Sequence, residues 1–195
     1  MDYNTIVSQI QQVCLTCPGI LSEPKNFRSG NGDLIRYADH FDKVKKSGIT
    51  PHKFFGNCFR MSSALYYALG GREKGNTLCK TDRFPYFDGL ETTHWAVKTS
   101  DGKILDPSWD QFTDFPNVKK SEIYPTLRSA HIGFPYFVRD GGKRYNQVVP
   151  SKEVLKIAIV MQKDYGTSYG LDWWLDERAS QRGLADLHKA VYNNK

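Results

Sequence analysis

The sequence predicts an α+β domain in which helices lead and close the chain and short antiparallel strands lie between them. Three observations carry this. Apolar residues recur at helical spacing near the start and again at Cys58–Leu69, and a hairpin pattern follows over His94–Asp106. Helical patterns return near the end, so the elements fall in an α, then β, then α order that fits a layered α+β arrangement. The 195 residues suit one domain. With 39% hydrophobic and 13% aromatic residues the chain can build a core without disulfides or metals.

The first helix is expected over Asn4–Cys14, where Ile6, Val7, Ile10, Val13 and Cys14 share a face before Cys17-Pro18-Gly19 stops it. Residues 23–33 are polar and turn-rich, with Gly30-Asn31-Gly32 too short for a phosphate loop. Asp33 is expected to cap a second helix carrying Leu34, Tyr37, Ala38, Phe41 and Val44, ended by Gly48 and Pro51. A third helix starts at Cys58, where Met61, Ala64, Leu65, Ala68 and Leu69 form an apolar stripe. Residues 72–91 show no recognisable element. His94–Thr99 and Lys103–Asp106 then form a hairpin. Residues 107–150 read as loops with short strands at Tyr136–Val138 and Tyr145–Val149. Ser151 opens a helix through Gln162, with a strand at Ile157–Val160 as the alternative, and further helices are expected over Trp173–Gln181 and Leu184–Tyr192.

Several function classes weaken at once. No run of ~18 apolar residues is present, so no membrane-spanning helix is expected. The N-terminus lacks a basic start and an apolar run, so no secretory signal is expected. The expected location is cytoplasmic, with delivery into a host cell left open. The four cysteines, Cys14, Cys17, Cys58 and Cys79, are then free thiols. The net charge of +6 is scattered along the chain, which argues for a solvated surface over a phosphate track. Cys14-Leu15-Thr16-Cys17 has zinc-ligand spacing but no second pair. Asp39-His40-Phe41-Asp42 reads as a solvated helix face.

The chemistry concentrates in the middle third. Cys58, preceded by Gly56-Asn57, sits at a helix start, where the positive end of the dipole favours a thiolate and the free N–H groups can serve an oxyanion. Such a nucleophile needs a base and an orienter, and His94 and Asp106 are the candidates. Side-chain parity tests whether they meet. A two-residue Asp101-Gly102 turn sets Val97 opposite Asp106 and puts His94 and Asp106 on opposite faces. A three-residue Ser100-Asp101-Gly102 loop sets Ala96 opposite Asp106. His94 and Asp106 then become diagonal neighbours about 7–8 Å apart at Cα. Gly102 suits the left-handed position of that loop.

Gly56-Asn57-Cys58 at a helix start, Thr93-His94-Trp95-Ala96-Val97, and Gly102-Lys103-Ile104-Leu105-Asp106-Pro107-Ser108-Trp109 together resemble the core of transglutaminase-like enzymes. These belong to the broader papain-like group of cysteine enzymes, which includes arylamine N-acetyltransferases, peptide N-glycanases and bacterial effector deamidases. The resemblance covers about residues 54–112. It implies one papain/transglutaminase-like domain over 1–195, with the catalytic cysteine's helix packed on a small antiparallel sheet and C-terminal helices over about 151–192. It also implies a nucleophile Cys58, a base His94 and an orienting Asp106, with no metal or organic cofactor.

The chain departs from papain-like proteases in lacking a Gln just before the cysteine. His52 and Asn57 are the polar groups in that stretch, and Trp95, Trp109 and Gln111 are further candidates for the oxyanion site or pocket. The expected activity is cleavage or transfer of an amide or acyl bond in a protein or peptide, as protease, isopeptidase or glutamine deamidase. The alternatives are a transglutaminase or other acyltransferase. From a different class, a catalytically silent basic module binding nucleic acid or protein on the same scaffold is also left open. The positive charge favours an acidic substrate; no membrane partner is expected.

Overall fold

The computed structural model describes residues 2–16, 21, 26–28, 34–69, 71–129, 137–140 and 143–148. Helix α1 runs Tyr3–Thr16 and buries Ile6, Ile10, Val13 and Cys14, the face that the apolar spacing marks out. Asp2 holds its start, taking bonds from the Asn4 N–H at 3.0 Å and the Thr5 hydroxyl at 2.6 Å.

The second helix begins later than the sequence suggests. Leu34–Arg36 is strand β2, paired antiparallel with β1 (Asn26–Arg28), and α2 covers Tyr37–Lys46. The reason is a cap supplied from a distance. The Asn26 side-chain oxygen accepts from the Ala38 N–H at 3.0 Å and the Asp39 N–H at 3.4 Å, while its amide donates to Asp39 Oδ1 at 2.8 Å. Arg36, the residue flanking the helix, makes no side-chain cap bond. Gly48, at φ +85°, closes the far end.

Helix α3 spans Cys58–Ala68 and buries Met61, Ala64, Leu65 and Ala68. Its apolar side lies on a four-stranded antiparallel sheet ordered β7-β6-β3-β8, from Ile104–Leu105, Trp95–Lys98, Thr77–Lys80 and Arg128–Ser129. Leu78, Val97 and Leu105 face the helices and join Ile10, Met61 and Leu65 in one apolar cluster. Each fully buried side chain of that size contributes roughly 1.5–3 kcal/mol.

Residues 72–91, which the sequence leaves without an element, hold β3 and a separate hairpin of β4 (Phe84–Phe87) and β5 (Leu90–Thr92). Asp88 and Gly89 both have positive φ in its turn, as a tight hairpin requires. Phe84 and Tyr86 point inward and meet Val44, Phe55, Phe112 and Phe115 in a second, aromatic cluster. A one-turn helix α4 (Lys120–Ile123) runs into a 3-10 turn at Tyr124–Thr126. Strands β9 (Phe137–Asp140) and β10 (Lys143–Val148) pair antiparallel, close to the expected short strands. The helices expected beyond Ser151, together with Trp173-Trp174, Asp33, Gly30-Asn31-Gly32 and Cys17, lie outside the described residues. None of the described helices is long and apolar enough to cross a membrane.

Candidate active site

Local turns deliver Cys58 to the head of α3. The Phe55 N–H bonds the His52 carbonyl at 2.9 Å, and the Asn57 N–H bonds the Phe54 carbonyl at 2.9 Å. Gly56 lies between them at φ +72°, a backbone state that a side chain would strain. Cys58 is 6% exposed.

His94 extends the β3–β6 ladder by one rung. The Thr81 N–H bonds the His94 carbonyl at 2.9 Å, and the Thr81 hydroxyl accepts from the His94 N–H at 2.7 Å. Its ring is fully buried. Asp106 follows β7, and the loop between β6 and β7 decides which way it faces. Val97 pairs with Leu105 and Lys98 with Ile104. The Thr99 N–H bonds the Lys103 carbonyl, and the Gly102 N–H bonds the Thr99 carbonyl, both at 2.9 Å. This is the three-residue loop, with Gly102 at φ +83°. The register therefore sets Ala96 opposite Asp106, and His94 Nε2 lies 2.6 Å from Asp106 Oδ2.

The Asp106 carboxylate is saturated with donors. Oδ1 accepts from the Ser108 N–H at 3.0 Å and the Ser108 hydroxyl at 3.2 Å, and Oδ2 accepts from the Tyr124 hydroxyl at 2.9 Å. Burial pushes its acidity toward the neutral acid, but the His94 charge and these bonds outweigh burial and hold it below the ordinary carboxylate range. For His94, burial acts against the imidazolium. The charge and hydrogen bond of Asp106, then the hydrogen bond and charge of Cys58, overcome it and lift the ring to about 10. Burial and the neighbouring Asp106 raise Tyr124, so its hydroxyl stays a donor. Burial and the Cys58 charge push Tyr37 up to about 12, against hydrogen bonds with Thr92 and Thr93.

The remaining candidates divide. Gln111 is 5% exposed; its amide nitrogen lies 3.3 Å from His94 Nδ1 and 3.0 Å from the Ser108 carbonyl. Trp109 and Phe112 stand edge-on to the imidazole at 5.7 and 5.1 Å between ring centres and form an aromatic wall against it. Asn57 is buried, donating to the Phe55 carbonyl at 3.1 Å and accepting from Arg60 at 3.3 Å. His52 Nδ1 accepts the Phe54 N–H at 3.2 Å, which makes it part of the turn. Trp95 faces the helix side with Phe59, 5.0 Å away, because it neighbours His94 on the strand and so points oppositely.

Sequence reasoning missed Tyr124, Thr81 and Tyr37. Ser108, two residues past Asp106, was legible as a turn in which a carboxylate takes a nearby N–H. Nothing in the spacing marks Tyr124. Among the described residues, no cluster of three or more His, Cys, Asp or Glu is placed to hold a metal ion. No protein-family model, curated protein or solved structure matches the chain. One ring nitrogen of His94 is tied to a carboxylate, and the other lies within reach of the Gln111 amide.

Proposed function

We propose that the chain is a thiol enzyme that cleaves or transfers an amide or acyl bond through a covalent thioester, with Cys58 as nucleophile, His94 as base and Asp106 as orienter. The observation that carries this reading is the buried 2.6 Å His94–Asp106 pair, whose ring also interacts with a cysteine at a helix start. With Nε2 held by Asp106, Nδ1 carries the proton that Cys58 gives up, and sulfur bonds the carbonyl carbon. The same nitrogen returns that proton to the departing amine as the C–N bond breaks. His94 then takes a proton from water, whose oxygen attacks the thioester and releases acid and thiol.

Hydrolysis is favoured over transfer, and the substrate class is a protein or peptide. The low exposure of Cys58 favours a slender group such as a glutamine side chain over an extended backbone, which fits a deamidase or isopeptidase. The test is labelling with thiol-reactive amide and acyl-donor probes at neutral pH, read by peptide mass mapping. Cys58 should label selectively over Cys14, Cys17 and Cys79 and lose that selectivity in His94→Ala. Turnover of any acyl donor should vanish in Cys58→Ala while the fold persists. Undiminished turnover in purified Cys58→Ala, or labelling of Cys58 no faster than of the other thiols, would sink the reading.

A further inference from the structure

Gln111 makes one bond whose direction cannot be reversed. The Ser108 carbonyl only accepts, so the Gln111 atom 3.0 Å from it is the amide nitrogen. That same nitrogen lies 3.3 Å from His94 Nδ1. One of its hydrogens serves Ser108 and the other meets Nδ1, which accepts it while the ring is neutral. In that state the opposite ring nitrogen, 2.6 Å from Asp106, carries the ring proton. In the proposed mechanism the Cys58 proton and the Gln111 N–H compete for the Nδ1 lone pair.

We infer that Gln111 is a positioning residue that disfavours a proton on His94 Nδ1, against the pull of Asp106, and so restrains proton transfer from Cys58 until the amide is displaced. This deepens the thiol-enzyme reading and rests on it. A protonated Nδ1 would point its hydrogen at the Gln111 N–H, two donors facing each other. Gln111 is held in that orientation by a backbone carbonyl and is buried, so it does not turn over freely. A substrate amide entering the site has the chemistry to draw it away, since a carbonyl oxygen accepts the same N–H.

Among the described residues, the groups that bias the ring are few. Asp106, after β7, favours the imidazolium, and Tyr124 reaches the ring only through Asp106. Cys58, at the head of α3, also favours it and has Tyr37 as a neighbour in turn. From β3 the rung partner is the neutral Thr81. Lys120 lies over the Trp109 ring, 5.3 Å from its centre, and Trp109 meets the imidazole edge-on. Gln111 is the neutral group that opposes Asp106 and Cys58.

The test uses the full chain and two near-isosteric variants. Gln111→Met removes the donor; Gln111→Glu replaces it with an acceptor. Iodoacetamide alkylation of Cys58 is followed against pH by peptide mapping, and the ¹⁵N shift of His94 Nδ1 is followed in parallel. The onset of alkylation should move down by about one pH unit in Gln111→Met, the worth of one lost neutral contact, and further in Gln111→Glu. Nδ1 should stay protonated to correspondingly higher pH. Unchanged onset and unchanged Nδ1 titration in both variants, or shifts in the opposite sense, overturn the inference. If Cys58 fails to alkylate in all three proteins, the thiol-enzyme reading fails, and the Nδ1 titrations alone then decide what Gln111 does.

Discussion

The two faces of β6 are built on different principles. Trp95 and Val97 point toward α1 and α3 into an apolar cluster with Met61, Leu65 and Leu105, where stability comes from area removed from water. His94 and Ala96 point the other way, and there a histidine, a carboxylate, a glutamine and a serine are buried with their hydrogen bonds met. The first face tolerates exchange of one apolar residue for another of similar volume. The second does not, because each member's partner is another member. Burial alone therefore does not separate scaffold from site; the kind of partner does.

The sharpest way to break this contrast is Asp106→Asn. It preserves volume but removes the charge that orients His94, so turnover should fall on the order of 10²–10⁴-fold. The same variant has a pH signature. His94 is raised above its unfolded value of ~6.5, so its contribution to stability is complete below that and is lost as pH climbs toward about 10. Asp106 is lowered, so its contribution is present above ~3.9 and disappears on acidification. The gap in melting temperature between wild type and Asp106→Asn should be widest between pH ~4 and ~6.5 and narrow toward pH 10. A gap that is flat across that range would mean that the pair is not charged.

Leu65→Ala attacks the other face. It should cost about 2–5 kcal/mol in chemical denaturation, while the folded fraction keeps its rate of Cys58 alkylation. A changed alkylation rate in folded Leu65→Ala would show the two faces coupled. The smallest effect is expected from Tyr124→Phe, which removes one of the donors on Asp106 and leaves the ring packing. It should cost about 1 kcal/mol and slow turnover a few-fold, measured by denaturation and by progress curves.

The contrast also explains what could be read from sequence. Apolar spacing locates α1 and α3 because a helix repeats its inward face every third or fourth residue. Strand parity narrows the β6–β7 register to two loops, of which Gly102 suits the three-residue one. The start of α2 was misplaced because its cap, Asn26, belongs to another strand, and capping rules look only at neighbours. The β4–β5 hairpin was legible in Asp88-Gly89 between Tyr86-Phe87 and Leu90, a turn signal that the irregular stretch around it concealed. Tyr124 was not legible, since a lone tyrosine many residues from Asp106 carries no periodicity. Gln111 could be suspected from its place after Asp106, but its bond to Nδ1 depends on the 3-10 turn Trp109–Phe112 folding back beneath the ring.

The loop Ser100-Asp101-Gly102 is exposed, and exposed loops are where chains ordinarily gain and lose residues in evolution. This one has little such freedom. Removing or adding a single residue would still close the hairpin but would turn Leu105 out of the apolar cluster. It would turn Asp106 to the far side of its strand, away from His94. Descendants that keep the chemistry are thus confined to changes of loop length by even steps. A lineage that drifts by one residue would lose core packing and the His94–Asp106 pair together.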